Sequence, residues 1–81
     1  MPDELPHEPQ RGLGRAVRAL REKAGIDQAT LAERAELTEA LIAEIESGEA
    51  DPFWGDVRRV ALALEISLER LSELSEELEA G

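Results

Sequence analysis

The sequence contains no cysteine, and its only aromatic residues are Phe53 and Trp54. Without cysteine, neither a disulfide framework nor a thiolate nucleophile or thiolate metal site is available. No apolar run approaches the ~20 residues that cross a bilayer, and segment 1–10 is acidic and proline-rich, unlike a signal peptide. We therefore expect a soluble, cytoplasmic protein without membrane contact.

Signs of catalytic chemistry are also missing from the sequence. The single histidine, His7, has no second metal ligand at helical spacing, which favours a solvated residue over a ligand. There is no glycine-rich phosphate loop, and paired acids such as Glu76 and Glu77 are typical of solubilising helix faces. We expect a protein that is not an enzyme and that needs neither cofactor nor metal.

Positive charge is scarce, with nine basic residues against nineteen acidic ones and a formal net charge of -10. This balance is the opposite of the usual electrostatic signature of a nucleic-acid binder. The charge is uneven, because segment 11–26 is mainly basic whereas segment 27–51 carries eight acids against Arg34 alone. The composition by itself favours a basic partner over DNA.

The pattern of apolar residues predicts one all-α domain. Residues 1–10 contain three prolines and no apolar periodicity, so we expect a disordered tail followed by a single domain over 11–81. Period-two runs and hairpin dipeptides are absent, which disfavours strands. A chain of 81 residues buries only about 60% of the surface that its unfolded form exposes.

Five helices follow from apolar spacing and from residues that begin or end helices. The expected caps and stops are Gly25, Asp27, Thr38, Gly48 and Ser67. The expected inward-facing residues lie mostly three or four apart within each helix: Leu13, Val17, Leu20 and Ala24; Leu31, Ala32 and Ala35; Ile42 and Ile45; Val57, Val60, Ala61 and Leu64; Leu68, Leu71, Leu74 and Leu78. For Trp54, a place capping the core is favoured over partial exposure at a partner or DNA surface.

The stretch QATLAERAELTEALIAEIES, residues 28–47, resembles the helix-turn-helix of the Cro and phage-repressor (XRE) type. The similarity extends over residues 13–71 and includes the small Ala32, where the two helices of the motif cross closely. It implies a compact five-helix lambda-repressor-like domain. In this family the helix that matches residues 38–47 enters the major groove of DNA.

The resemblance also implies roles for individual residues. A partly buried ion pair is expected between Arg21 and Glu46, and Glu36 stands where the family often has glycine in a left-handed turn. Among the matched contact positions, glutamate can accept from the cytosine amino group and Ala40 can pack on a thymine methyl. The expected DNA-contacting residues are Gln28, Thr38, Glu39, Ala40, Ala43, Glu44, Ser47 and Trp54.

Two functions remain open at this stage. The first is a sequence-specific DNA-binding transcriptional regulator, in which a stripe of Leu71, Leu74 and Leu78 closes a homodimer that reads two half-sites of double-stranded DNA. The alternative is a helix-turn-helix scaffold for protein contact, antitoxin-like or regulatory, whose acidic face meets a basic partner. The full positive charges that could reach a DNA backbone are Arg11, Arg15, Arg58 and Arg59.

Overall fold

A computed structural model describes residues 10–80, which form five α-helices and no β-strand. The helices are α1 (Arg11–Lys23), α2 (Gln28–Ala35), α3 (Glu39–Ser47), α4 (Trp54–Ala63) and α5 (Leu68–Ala80). The all-α, five-helix prediction is therefore confirmed. The predicted tail and His7 lie outside the described residues, except that Gln10 is tied to the fold by its backbone N–H, which donates to the Gly48 carbonyl.

Most helix ends follow from the caps that the sequence predicts. The side chains of Asp27, Thr38 and Ser67 each accept a hydrogen bond from the backbone N–H three residues further on, at 2.8, 3.1 and 3.0 Å. Each bond satisfies an N–H that lacks a partner within its own helix. Gly25 and Gly48 adopt left-handed conformations, with φ of 74° and 84°, and so turn the chain away after α1 and α3.

The ends of α1 differ from the expectation. The helix begins at Arg11, ahead of the first apolar residue, and ends at Lys23. Ala24 is the exposed C-cap residue of α1 and does not face the core, so its predicted inward position is wrong. The apolar spacing continues through Ala24, but the left-handed turn at Gly25 ends the helix before that side chain reaches the interior.

A small aliphatic core joins all five helices. Half-buried leucines, isoleucines and valines surround it, among them Leu13, Leu20 and Leu37. α1 lies between α3 and α5, while α2 packs against both α3 and α4. The fully buried apolar residues are Ala16, Val17, Leu31, Ala32, Ala35, Ile42, Ile45, Val60, Ala61 and Leu71.

Glycines let α1 approach its two neighbours closely. A Cβ atom on Gly14 would lie 2.5 Å from the carbonyl oxygen of Ile45 and 2.6 Å from that of Glu46, both on α3. A Cβ on Gly12 would collide with the backbone carbonyl of Ser75 on α5. The backbones of α1 and α3 therefore meet where no other side chain fits, and this contact fixes the position of α3 in the fold.

Candidate nucleic-acid interface

One face of α3 is held outward, away from the rest of the molecule. Ile42 and Ile45 are fully buried and attach the helix to the core. The opposite side is exposed along its length, apart from Ala43, which is half-buried. The predicted contact residues that lie exposed on this face are Thr38, Glu39, Ala40, Glu44 and Ser47.

A nearly buried ion pair locks the end of α3 to α1, as the resemblance implies. The Arg21 guanidinium donates to both carboxylate oxygens of Glu46, through Nε at 2.6 Å and Nη2 at 3.1 Å. The exposed fractions of the two side chains are only 13% and 5%. The hydrogen bond to Glu46 raises the pKa of Arg21 against the opposing effect of burial.

Gln28 belongs to the same network. Its amide nitrogen Nε2 donates to Oε1 of Glu46 at 3.0 Å, so the carboxylate is shared between helices α1 and α2. This role was not expected from the sequence, which predicts only a DNA contact for Gln28. Because one amide hydrogen is already used, the side chain braces the turn between the helices and has less capacity left for DNA.

The surface beside the ion pair forms a notch between α1, the start of α2 and α3. Its volume is about 310 Å³, and Arg18 lines the side nearest α1. The Arg18 side chain lies at 3.2 Å from Glu22, one turn along the helix, and is otherwise open to solvent. The residues that line the notch are Arg18, Arg21, Gln28, Ala43, Glu46 and Ser47.

Two other groups that could bind phosphates, the Ser47 hydroxyl and the N-terminus of α2, already make hydrogen bonds within the protein. The Ser47 hydroxyl donates to the Glu44 carbonyl at 2.9 Å, which uses its only hydrogen. At the N-terminus of α2, Asp27 accepts from Thr30, and these hydrogen bonds lower the pKa of Asp27. A carboxylate therefore occupies the helix end where the helix dipole would attract a phosphate.

Positive charge near α3 comes from separate arginines. Arg11 is exposed, and its backbone lies close to Gly48 at the end of α3. Arg15 donates through Nη1 to the Leu78 carbonyl at 2.9 Å, and so it also serves the end of α5. On α4, Arg59 lies 3.8 Å from a carboxylate oxygen of Glu36.

The prediction that Trp54 caps the core is wrong. Trp54 is 66% exposed and the neighbouring Phe53 is 80% exposed. Phe53 is the N-cap residue of α4 and Trp54 begins its first turn, while the core-facing side of this helix starts only at Val57 and Val60. The exposure leaves Trp54 available for an intermolecular contact, as its expected DNA contact requires.

The predicted dimer stripe on α5 is also corrected. Leu71 is only 1% exposed and belongs to the core, so it cannot form a contact between subunits. Leu74 and Leu78 are half-buried and pack against the same core, because α5 lies along α1 over most of its length. The leucine spacing reflects packing within one domain, which removes the reason for assigning these residues to a dimer surface.

The described residues hold few signs of other chemistry. Within residues 10–80 no group of three or more potential ligands is placed to hold a metal ion. None of the five helices is both long and apolar enough to cross a bilayer. The candidate binding surfaces that remain are the exposed face of α3 and the exposed pair Phe53 and Trp54 at the start of α4.

Comparison with known proteins supports the helix-turn-helix fold that the sequence resemblance implies. The model of the helix-turn-helix domain family matches residues 12–74, whereas no curated protein matches the chain in sequence. The clp gene regulator ClgR from Corynebacterium glutamicum has a similar structure, with a TM-score of 0.84 and 25% identity over 91% of this chain and 81% of that one.

Two further solved structures are similar to this chain. The restriction-modification controller protein C.AhdI from Aeromonas hydrophila has a TM-score of 0.75 and 27% identity, covering 76% of this chain and 94% of that one. The DNA-binding domain of the phage P22 c2 repressor has a TM-score of 0.71 and 28% identity, covering 74% and 79%. With its five helices and its outward α3, the chain belongs to the helix-turn-helix domain family, in the Cro and phage-repressor group.

Proposed function

We propose that this protein is a sequence-specific transcriptional regulator that inserts α3 into the major groove of double-stranded DNA and acts as a homodimer. The observation that carries the proposal is the exposed face of α3, fixed on one side by buried isoleucines and at its end by the Arg21–Glu46 pair. A helix held rigidly outward at this point of the motif is what groove reading needs. The family and fold are those of DNA-binding regulators, and no enzymatic activity is proposed.

The proposed base contacts come from the first half of α3. Thr38, Glu39 and Ala40 are all exposed there, while Ala43 and Glu44 follow one turn later. Glutamate carboxylates accept hydrogen bonds from cytosine amino groups, and the Ala40 methyl fits against thymine methyls. Base recognition is therefore proposed to depend on hydrogen-bond acceptors and apolar contacts, with few hydrogen-bond donors to guanine.

The affinity of this interface is proposed to be modest and strongly dependent on salt. Most nonspecific affinity for DNA comes from neutralising phosphates with lysine and arginine. The amide of Gln28 and the hydroxyl of Ser47 already donate hydrogen bonds within the protein. Phosphate contacts beside α3 are therefore left mainly to the cations Arg11 and Arg18. Trp54 is proposed to contact the DNA backbone from the start of α4, where it is exposed.

Selection from a random pool of duplex DNA tests this function. At about 50 mM salt we expect enrichment of two half-sites whose centres lie about one helical turn apart. The affinity for the selected sequence should fall steeply as salt rises. Failure to enrich any sequence both at this salt and at about 0.1 M, where repulsion from distant carboxylates is largely screened, would refute the proposal.

A matched pair of substitutions locates the reading surface. Ala40 and Ala29 are both exposed alanines, the first on α3 and the second on α2. Ala40→Gln should change which bases are selected, because a long amide would enter the groove. Ala29→Gln should leave the selected sequence unchanged. Equal effects from the two variants would exclude α3 as the reading helix.

Charge favours a second candidate function, in which α2 and α3 contact a basic protein. Exposed carboxylates of Asp27, Glu33 and Glu39 surround an open groove of about 430 Å³ between these helices. Such a surface would attract a basic partner and repel phosphates. This function is supported if the protein selects no DNA sequence but forms a salt-sensitive complex with a basic polypeptide such as polylysine. Glu33→Gln and Glu39→Gln should then each weaken that complex.

A further inference from the structure

The most exposed large apolar side chains in residues 10–80 all belong to α4 or its cap. They are Phe53 at 80%, Leu62 at 71% and Trp54 at 66% exposure. Leu62 lies one turn after the exposed Arg58, so these two residues share one side of the helix, whereas Trp54 lines a cavity with Leu68 and Leu71 of α5. α4 packs on α2 and lightly on α5, and this side remains uncovered.

Two opposite charges flank Leu62 on this exposed side. Arg58 lies one turn before it, and Glu65 lies just past the C-terminal end of α4. Both residues are exposed, and within residues 10–80 neither side chain makes a hydrogen bond or an ion pair. They contrast with Arg18, Arg59 and Arg70, which each lie within 4 Å of a carboxylate of their own chain.

We propose that this side of α4 is the contact between two copies of the chain, related by a two-fold axis near Leu62. The proposal rests on the homodimer of the proposed function and names its surface. In an antiparallel arrangement of the two α4 helices, Leu62 meets Leu62 at the axis. Arg58 of each copy then faces the end of the other helix that carries Glu65, so both charges gain a partner.

Charge favours this face over the acidic faces of the molecule. With a net charge of -10, two copies repel each other over most of their surface. The exposed charges along the middle of α4 are Arg58 and Arg59, so repulsion between carboxylates is weak at this place. A surface that carries both members of an ion pair is complementary to itself, as a closed two-fold contact requires.

The available apolar area is consistent with a reversible dimer. Covering an aromatic side chain buries on the order of 150–250 Å², so Phe53 and Leu62 together offer roughly 250 Å² per copy. A standard stable interface buries about 800 Å² on each partner. The apolar residues supply about a third of this area, and the stems of Arg58 and Arg59 add to it.

The test is the mass of the full chain in solution without DNA, measured by sedimentation equilibrium over micromolar to hundred-micromolar concentrations. The parent protein should dimerise, whereas Leu62→Ser should be monomeric throughout. Arg58→Glu alone and Glu65→Arg alone should each weaken the dimer about tenfold, which corresponds to ~1.4 kcal/mol. The double variant Arg58→Glu/Glu65→Arg should recover to within threefold of the parent.

Controls separate this contact from changes in folding or in net charge. Lys23→Glu makes the same change of charge as Arg58→Glu at an exposed position at the end of α1, and it should dimerise like the parent. Helical circular dichroism and thermal melting of each variant establish that the domain is folded. A monomeric parent, a dimeric Leu62→Ser protein, or a double variant that is no better than the single variants would overturn the proposal.

The measurement is independent of DNA binding, so the two proposals can fail separately. If DNA selection succeeds and the parent is monomeric, the α4 contact is refuted and the DNA-binding function stands. If the charge swap restores the dimer but no DNA sequence is selected, the contact stands and the DNA-binding function fails. The α4 assignment is thus decided by the mass data alone.

Discussion

Glu46 is the residue on which the helix-turn-helix depends most directly. Its carboxylate accepts from the Arg21 guanidinium and from the Gln28 amide, and its side chain is only 5% exposed. A charge removed from water to this degree is tolerated only when its partners satisfy it. The same three residues join α1, α2 and the end of α3.

Removing Glu46 should therefore destabilise the protein well beyond a surface change. Glu46→Ala leaves the guanidinium of Arg21 largely buried without its carboxylate, and we expect a loss of about 3 kcal/mol in the free energy of unfolding. Domains of this length have roughly 4 to 12 kcal/mol in total. Urea denaturation measures the change, with the exposed Glu44→Ala as a control that should stay within about 0.5 kcal/mol of the parent. Equal stability of the two variants would contradict this role.

Glu36 shows a local cost that the fold tolerates. It adopts φ 61° and ψ 41°, the left-handed conformation that the resemblance to the family implied. A residue with a Cβ atom in this region costs about 1 to 2 kcal/mol relative to glycine. Within residues 10–80 its side chain makes only the distant, exposed pair with Arg59 at 3.8 Å, which contributes little.

Replacing Glu36 by glycine should raise the stability of the domain. We expect Glu36→Gly to gain about 1 kcal/mol, after allowing for the greater freedom of glycine in the unfolded chain. Thermal melting measures the gain. Glu36→Ala removes the same carboxylate but keeps the Cβ atom, so it should melt no higher than the parent. A glycine variant that melts below the alanine variant would show that backbone strain is not the controlling factor.

At the scale of the helices, the features that could be predicted are those that depend on residues close together in the sequence. Caps such as Asp27 and Thr38 act on backbone groups three residues away, and their chemistry is readable in any context. The spacing rule failed for Ala24, and the core position of Trp54 and the dimer role of Leu71 were also wrong, because burial depends on which helices meet. For the candidate site, the sequence predicted the exposure of the α3 face but not the hydrogen bonds that the Gln28 and Ser47 side chains donate within the protein, because these depend on three-dimensional placement.

The close contact between helices α1 and α3 can be tested by adding one methyl group at Gly14. Alanine is favoured over glycine inside a helix by up to about 1 kcal/mol, so Gly14→Ala should stabilise an isolated α1. In the folded protein its Cβ atom would lie 2.5 Å from a carbonyl oxygen of α3. We expect a net destabilisation of about 2 kcal/mol by urea denaturation, because the two backbones must separate.

Gly55 provides the matched control for Gly14. It also lies within a helix, but an added Cβ atom there meets nothing within 4 Å. Gly55→Ala should therefore be neutral or stabilising by up to about 1 kcal/mol. If Gly14→Ala were as stable as Gly55→Ala, α1 and α3 would not be in the close contact that fixes the position of α3.

For the whole molecule, shape and charge favour different partners. The outward face of α3 has the form that fits a duplex groove, but the net charge of -10 repels one. Salt reduces this repulsion from distant carboxylates, because charges more than about 10 Å away are largely screened at 0.1 M ionic strength. Only carboxylates that lie close to the phosphates should then control binding, and these are the ones on α3.

Neutralising the α3 carboxylates should consequently tighten binding and reduce selectivity. At about 0.1 M salt we expect Glu39→Gln/Glu44→Gln to bind unselected DNA roughly tenfold more tightly than the parent, since two charges near phosphates each oppose binding by about 0.7 kcal/mol. Its preference for the selected sequence should shrink, because each carboxylate that only accepts is replaced by an amide that can also donate, for example to adenine. Glu69→Gln/Glu76→Gln makes the same charge change on exposed α5 residues and should bind like the parent. Equal gains from both double variants in a shift assay would mean that α3 does not face the DNA.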